Sequence, residues 1–201
     1  MKPIQRHDVF RIFQICMPVF FLLISFVVAG QQKYRSEDLL LQVKGTGSAG
    51  PWEIKSNRGE LETTLGLTAS KVTGLYSLWF TVECESLQSL ETSTAKNAHK
   101  ALKSSGSETI NFVLSSAKVK EVATGIYEMT CLGFLTIAGT ERETDLKVTC
   151  KANDDESFTC SGIKQLKMSD FDIKLPTAVM NNLKPADSIE IVYSLKINRK
   201  L

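Results

Sequence analysis

The chain is poor in the residues on which most site chemistry depends. Its 201 residues include two histidines, His7 and His99, and only His99 lies beyond the first thirty positions. One histidine cannot build a His-based metal cluster and leaves Ser-His-Asp or Cys-His catalysis without its set of partners. On the helical stretch NAHKALKS it reads as a solvated side chain. Charge of one sign is lacking as well. The formal net charge of +2 is confined to the start, where Lys2, Arg6 and Arg11 face Asp8; 21 basic and 21 acidic residues remain after position 30. A neutral remainder gives no pull toward nucleic acid. Aromatics thin out too, because five of the ten phenylalanines fall in the first thirty residues. The glycine-rich segment GTGSAGPW, 45–52, lacks the spacing and following helix of a nucleotide loop, and reads as a flexible loop delivering Trp52. Asp154-Asp155-Glu156 lacks the alternating donors and glycine bend of a calcium loop, and reads as a hydrated hairpin tip. Asp170 and Asp172 lie two apart, with no apolar pocket to shift their titration. No catalytic residue, metal or cofactor is assigned, and the chain reads as a non-enzyme.

What is present begins with a targeting pattern. A basic start precedes the apolar run from Ile12 to Val28, and Val28-Ala29-Gly30 supplies small residues for cleavage. Residues 1–30 therefore read as a secretory signal peptide, with a retained anchor as the alternative. Cleavage would leave an exported, periplasmic protein without a stable membrane span. No cysteine follows the small residues, which excludes lipid modification there. Cys84, Cys131, Cys150 and Cys160 then remain in an oxidising compartment, with three possible pairings. Cys150 and Cys160 flank KANDDESFT and could face each other across a hairpin. All four fall on apolar parity, which favours buried thiols acting as small apolar side chains.

Strand alternation dominates the remainder of the chain. Tyr127, Met129, Cys131, Leu135 and Ile137 share one face of a strand, since residues two apart project to the same side. A tight turn at Ala138-Gly139-Thr140 joins it to a strand carrying Leu146, Val148 and Cys150. Tyr76, Leu78, Phe80, Val82 and Cys84 share a face in Leu75 to Leu87, as do Ile110, Phe112 and Leu114 in Thr109 to Val119. Phe158, Cys160, Leu166 and Met168 are in phase from Ser157 to Met168. Ile189, Ile191, Tyr193, Leu195 and Ile197 alternate strictly with polar positions from Ser188 to Asn198. The earlier region is weaker: residues 31–38 read as a flexible N-terminus, Leu39 to Lys44 as a short strand, and Glu53 to Ser56 and Leu61 to Leu67 as strands about a turn at Asn57-Arg58-Gly59. Ser89 to Lys103 breaks the alternation with a helical stripe of Leu90, Ala95, Ala98 and Leu102, stopped at 104–106. Antiparallel strands with one wet face look like this. About eight of them must hide their edges, which a closed barrel does fully and a sandwich does in part. Such a barrel is just wide enough for packed side chains or one small ligand.

Two segments carry a family resemblance. YEMTCLGFLTIAGTER, 127–142, and LKMSDFDIKLPTAVMNNLKPADSIEIVYSLKI, 166–197, together resemble the YceI-like family of exported bacterial proteins. FTVECESLQS, 80–89, is similar to that family's strand entering its helix, and KALKS, 100–104, to the helix end. LTIAG and KMSDF are most similar to Bacteroidetes-type members. The resemblance implies an all-β, extended lipocalin-like antiparallel barrel over residues 39–199, with one packed helix. It also implies an apolar cavity for a polyisoprenoid or similar lipid, and no catalytic residues. On that reading Tyr76, Leu78, Phe80, Phe112, Leu114, Met129, Phe158, Tyr193 and Leu195 line the cavity. The rival is a structural or interaction module whose barrel its own side chains fill; a void well below ~300 Å³ would favour it. Lys164, Lys167, Lys174 and Lys184 are either solvated or ring an opening that meets an anionic head group. The chain departs from the family in having no histidine before Trp52, and Asp172 where glycine is frequent. The outward parity of Trp79 could mark a contact between two copies, though no oligomeric state follows from it.

Overall fold

In the computed structural model the described residues are 30–48, 50–103, 108–173 and 185–200. The expected signal segment through residue 29, Lys174, Lys184 and the expected helix stop at 104–106 lie outside them. Eight strands run in chain order: β1 Gly30–Gly47, β2 Gly50–Thr68, β3 Lys71–Glu83, β4 Thr109–Ala123, β5 Ile126–Ile137, β6 Thr140–Ala152, β7 Phe158–Lys167 and β8 Pro185–Arg199. Each pairs antiparallel with its neighbours, and β1 pairs with β8, so the sheet closes into a barrel. Every strand has a paired neighbour on both sides, which resolves the choice between barrel and sandwich. An α-helix, α1 (Thr92–Lys103), lies between β3 and β4, and short 3-10 turns occupy Cys84–Ser86 and Met168–Phe171.

The strands are longer than their periodicity suggests at the start of the chain. Residues 31–38 are not a loose lead-in. They form the first half of β1, paired with residues 61–67 of β2, and Tyr34 is buried there. Asn57-Arg58-Gly59 is not a turn but part of one continuous β2, where register shifts near Ser36, Asp38 and Leu41 absorb the irregularity. The bulges bend the strands as barrel closure requires, and they disrupt the simple alternation by which the strands would be read.

The two ends of the barrel are closed differently. At one end, Tyr34, Tyr127 and Phe158 form an edge-on aromatic plug, with centroids 5.4 Å apart for Tyr34–Phe158 and 6.4 Å for Tyr127–Phe158. At the other end α1 lies over the mouth and buries Ala101 and Leu102, whereas Leu90 precedes the helix and is fully exposed. His99 holds the helix in place: its Nε2 donates to the carbonyl of Leu87 at 2.7 Å, so it is a tether rather than a solvated side chain. The lead-in is itself fixed by a reciprocal backbone pair between Lys55 and Gln88, both bonds 2.7 Å.

Candidate functional site

Between the aromatic plug and α1 lies an apolar void of about 130 Å³. A second apolar pocket of about 230 Å³ lies under α1. Val43, Ile110, Ile137 and Ile191 belong to the walls of both, so the two are adjacent. Each space alone is below the ~300 Å³ at which ligand pockets begin. The few polar groups of the inner wall are already satisfied. The Thr63 hydroxyl donates to the carbonyl of Ser77 at 2.7 Å, and that of Tyr193 to the carbonyl of Lys147 at 2.9 Å. Burial raises the titration of Tyr193 and lifts the Cys131 thiol to about 11, so both face the void neutral.

Six of the nine residues expected to line a cavity surround this void. Leu78, Phe80, Phe112, Met129, Tyr193 and Leu195 all line the void. Tyr76 does not: it is 60% exposed on the outer face. Ser77 pairs with Thr64 and Leu75 with Leu65, so Tyr76 is an extra residue in β3 that reverses the parity. Its ring lies over Gly66, where a Cβ would fall 2.6 Å from the ring, and Leu75 takes the inward place. Leu114 is half-buried against the core but outside the void, beside the register shift between Leu114 and Ser116. Phe158 is buried in the plug below the void rather than along its side. Leu41, Leu65 and Val148 line the void and lie outside the expected set; for the first two the signal is hidden in strands that read as weak.

Cys150 and Cys160 stand directly opposite each other on β6 and β7 and are joined by a disulfide, while Cys84 and Cys131 are buried outside any disulfide. Inward parity therefore does not separate disulfide-bonded cysteines from the others. Two inward cysteines at one register position are suitably placed to bond.

Two ladders are incomplete, at opposite ends of the barrel. β3 and β4 pair only between Trp79–Glu83 and Thr109–Val113, and beyond that ladder Lys71 and Glu121 meet at 3.0 Å. β6 and β7 pair only between Val148–Ala152 and Phe158–Gly162. Toward the α1 end they part, and Lys164 reaches Asp145 across the gap at 2.7 Å. That hydrogen bond holds the Asp145 carboxyl below its usual range. Elsewhere the acidic groups are organised rather than merely hydrated. Asp155 accepts from Lys196 at 2.7 Å and from Ser157, which lowers its titration, and Glu156 meets Arg199 at 3.1 Å. Asp172 takes the left-handed conformation, φ 53°, so the turn expected of glycine forms without one. Among the described residues no group of three or more His, Cys, Asp or Glu is placed to hold a metal, and no helix is long and apolar enough to cross a membrane.

Comparison with known families accords with this architecture. A profile of the YceI-like domain matches residues 42–197. The chain belongs to the YceI-like family. The structure of BcnA from Burkholderia cenocepacia superposes with a TM-score of 0.61 at 17% identity, covering 79% of this chain and 95% of that one. A polyisoprenoid binding domain from Saccharophagus degradans implicated in plant cell wall breakdown gives 0.61 at 7% identity, covering 83% and 98%. At these identities the likeness is one of fold. A search of curated proteins found no significant match.

Proposed function

We propose that this YceI-like barrel is a non-catalytic periplasmic carrier that holds one polyisoprenoid-like lipid chain between the aromatic plug and α1. The observation that carries the reading is the continuous apolar wall, whose polar groups other than Lys164 are turned into the barrel's own backbone. Each buried methylene stabilises a bound chain by about 0.8 kcal/mol. A few prenyl units in such a space therefore offset a substantial ordering cost. The family and the Saccharophagus degradans domain, a polyisoprenoid binder, support this ligand class. The basic-apolar start of the chain and the Cys150–Cys160 bond support an oxidising, exported setting.

The small volume of the barrel void alone, about 130 Å³, favours a second reading in which the barrel is filled by its own side chains and serves as an interaction module. Native mass spectrometry of protein purified from cells separates the two. A bound lipid mass, released by organic extraction and restored by added prenyl lipid, is expected. Ligand-free spectra that take up no added prenyl lipid would establish the filled-barrel reading.

A further inference from the structure

One residue does not fit a purely apolar cavity. Lys164 occupies an inward position of β7, between Gly162 and Leu166, with Ile191 of β8 as its cross-strand neighbour. Among the described residues it is the single charged one in the wall of the barrel void, and its side chain is only 21% exposed. An inward position normally takes an apolar residue, because a charged group is costly to remove from water. Here the ammonium leaves the void by the gap that opens where the β6–β7 ladder ends above Val148 and Gly162. Its stem stays against the apolar wall and its head reaches out to Asp145, the snorkelling habit of long cationic side chains.

Outside the same gap is a polar cleft of about 510 Å³. Lys164 and Leu166 belong to both the cleft and the inner void, so the gap joins an apolar interior to a polar exterior. The charged residues around the cleft are Arg142, Lys164 and Lys167 against Glu143, Asp145 and Asp170. Arg142 is already engaged, its Nε donating to the carbonyl of Asp170 at 2.8 Å and its guanidinium 3.8 Å from Asp172. Lys164 has one carboxylate partner, Asp145, whose side chain is 53% exposed and borne on a stretch of β6 that has no ladder to β7. An incoming anion would exchange with that carboxylate while leaving Lys164 paired throughout.

We propose that Lys164 is the head-group contact of the cavity: an anionic single-chain amphiphile lies with its chain in the barrel and its phosphate or carboxylate in the β6–β7 gap, where it takes the place of Asp145. This rests on the lipid-carrier function and narrows its ligand to chains with an anionic end. A neutral chain would keep the apolar contacts and forgo the charge-assisted hydrogen bond.

Geranylgeranyl monophosphate and geranylgeraniol share one chain and differ at the head, so their binding to the full chain separates the two parts of the argument. The wild type is expected to bind the phosphate at least tenfold more tightly than the alcohol. K164M, which keeps an unbranched stem, is expected to lose the preference and bind both alike. K164R is expected to retain the preference, and D145N to tighten phosphate binding severalfold. Equal binding of the two ligands by the wild type, or a preference that survives in K164M, overturns the head-group assignment and leaves the lipid reading standing. If neither ligand binds any folded variant, the lipid reading itself falls, and the head-group assignment with it.

Discussion

The Tyr193 hydroxyl donates to the carbonyl of Lys147 at 2.9 Å, and it does so across Gly162. Tyr193 is on β8, Gly162 faces it on β7, and Lys147 is on β6 where the β6–β7 ladder stops. One tyrosine therefore spans a strand to satisfy a carbonyl at the end of a ladder. A Cβ at position 162 would collide with both the hydroxyl and that carbonyl. G162A is expected to cost about 1–3 kcal/mol through overpacking. Y193F is expected to cost about 1 kcal/mol for the lost bond. Because both substitutions act on the same bond, the double variant should lose less than the sum of the two in urea unfolding. Strict additivity would show that the span is not a unit.

The loop between β2 and β3 is held in an unfavourable conformation. Ala69 and Ser70 are the two residues between Thr68 and Lys71, and both have positive φ, 48° and 65°. A two-residue hairpin loop with both residues left-handed favours Asn-Gly. The left-handed region costs a residue with a Cβ about 1–2 kcal/mol. A69N/S70G is expected to raise the unfolding free energy by about 1–2 kcal/mol without altering ligand binding, measured by denaturant titration. A neutral or destabilising result would indicate that the loop makes contacts beyond its backbone.

Where the sequence misleads, the cause is local and physical. The hairpin from Tyr127 to Arg142 is legible because β5 alternates without a break, from buried Tyr127 to buried Ile137. Parity misplaces Tyr76 because one extra residue in β3 reverses it, and composition does not register a bulge. β1 and β2 look short because their bulges interrupt the apolar rhythm that marks a strand. Cys150 and Cys160 are ambiguous because the register that puts them opposite each other depends on the Asn153–Ser157 turn, not on their own parity. Lys164 resembles the surface lysines because its charge outweighs its phase with Phe158 and Cys160. The small inner volume lies beyond periodicity altogether, since the same wall can enclose a ligand or its own side chains.

Alkaline pH is expected to weaken the fold through Cys131. Burial lifts its thiol from 9.0 to about 11. Below pH 9 both folded and unfolded chains hold the proton, so the group gives no slope. Between pH 9 and 11 the unfolded chain releases it first, and stability falls by roughly 2–3 kcal/mol. Urea unfolding across that range should therefore be steeper in pH for the wild type than for C131A. The comparison is of slopes, so the void left by alanine does not affect it. Parallel slopes would mean that the thiol titrates normally in the folded barrel.

Blocking the void and stripping the outer wall should have opposite consequences. Val148 is half-buried, lines the void, and stands between Met129 on β5 and Gly162 on β7. V148F places a ring in space that is free in the structure, so the fold is expected to survive with a Tm within several degrees of the wild type. Lipid recovered with the purified protein should fall at least tenfold. Y76A instead removes a ring that covers Gly66 on the outer face. It is expected to cost about 0.5–1 kcal/mol of stability through the lost cross-strand contact, with lipid content unchanged. Mass spectrometry of extracted lipid beside thermal unfolding reads both outcomes. Full lipid content in V148F would place the chain elsewhere, under α1 alone. Lost lipid in Y76A would return Tyr76 to the binding surface and undo the parity reversal assigned to β3.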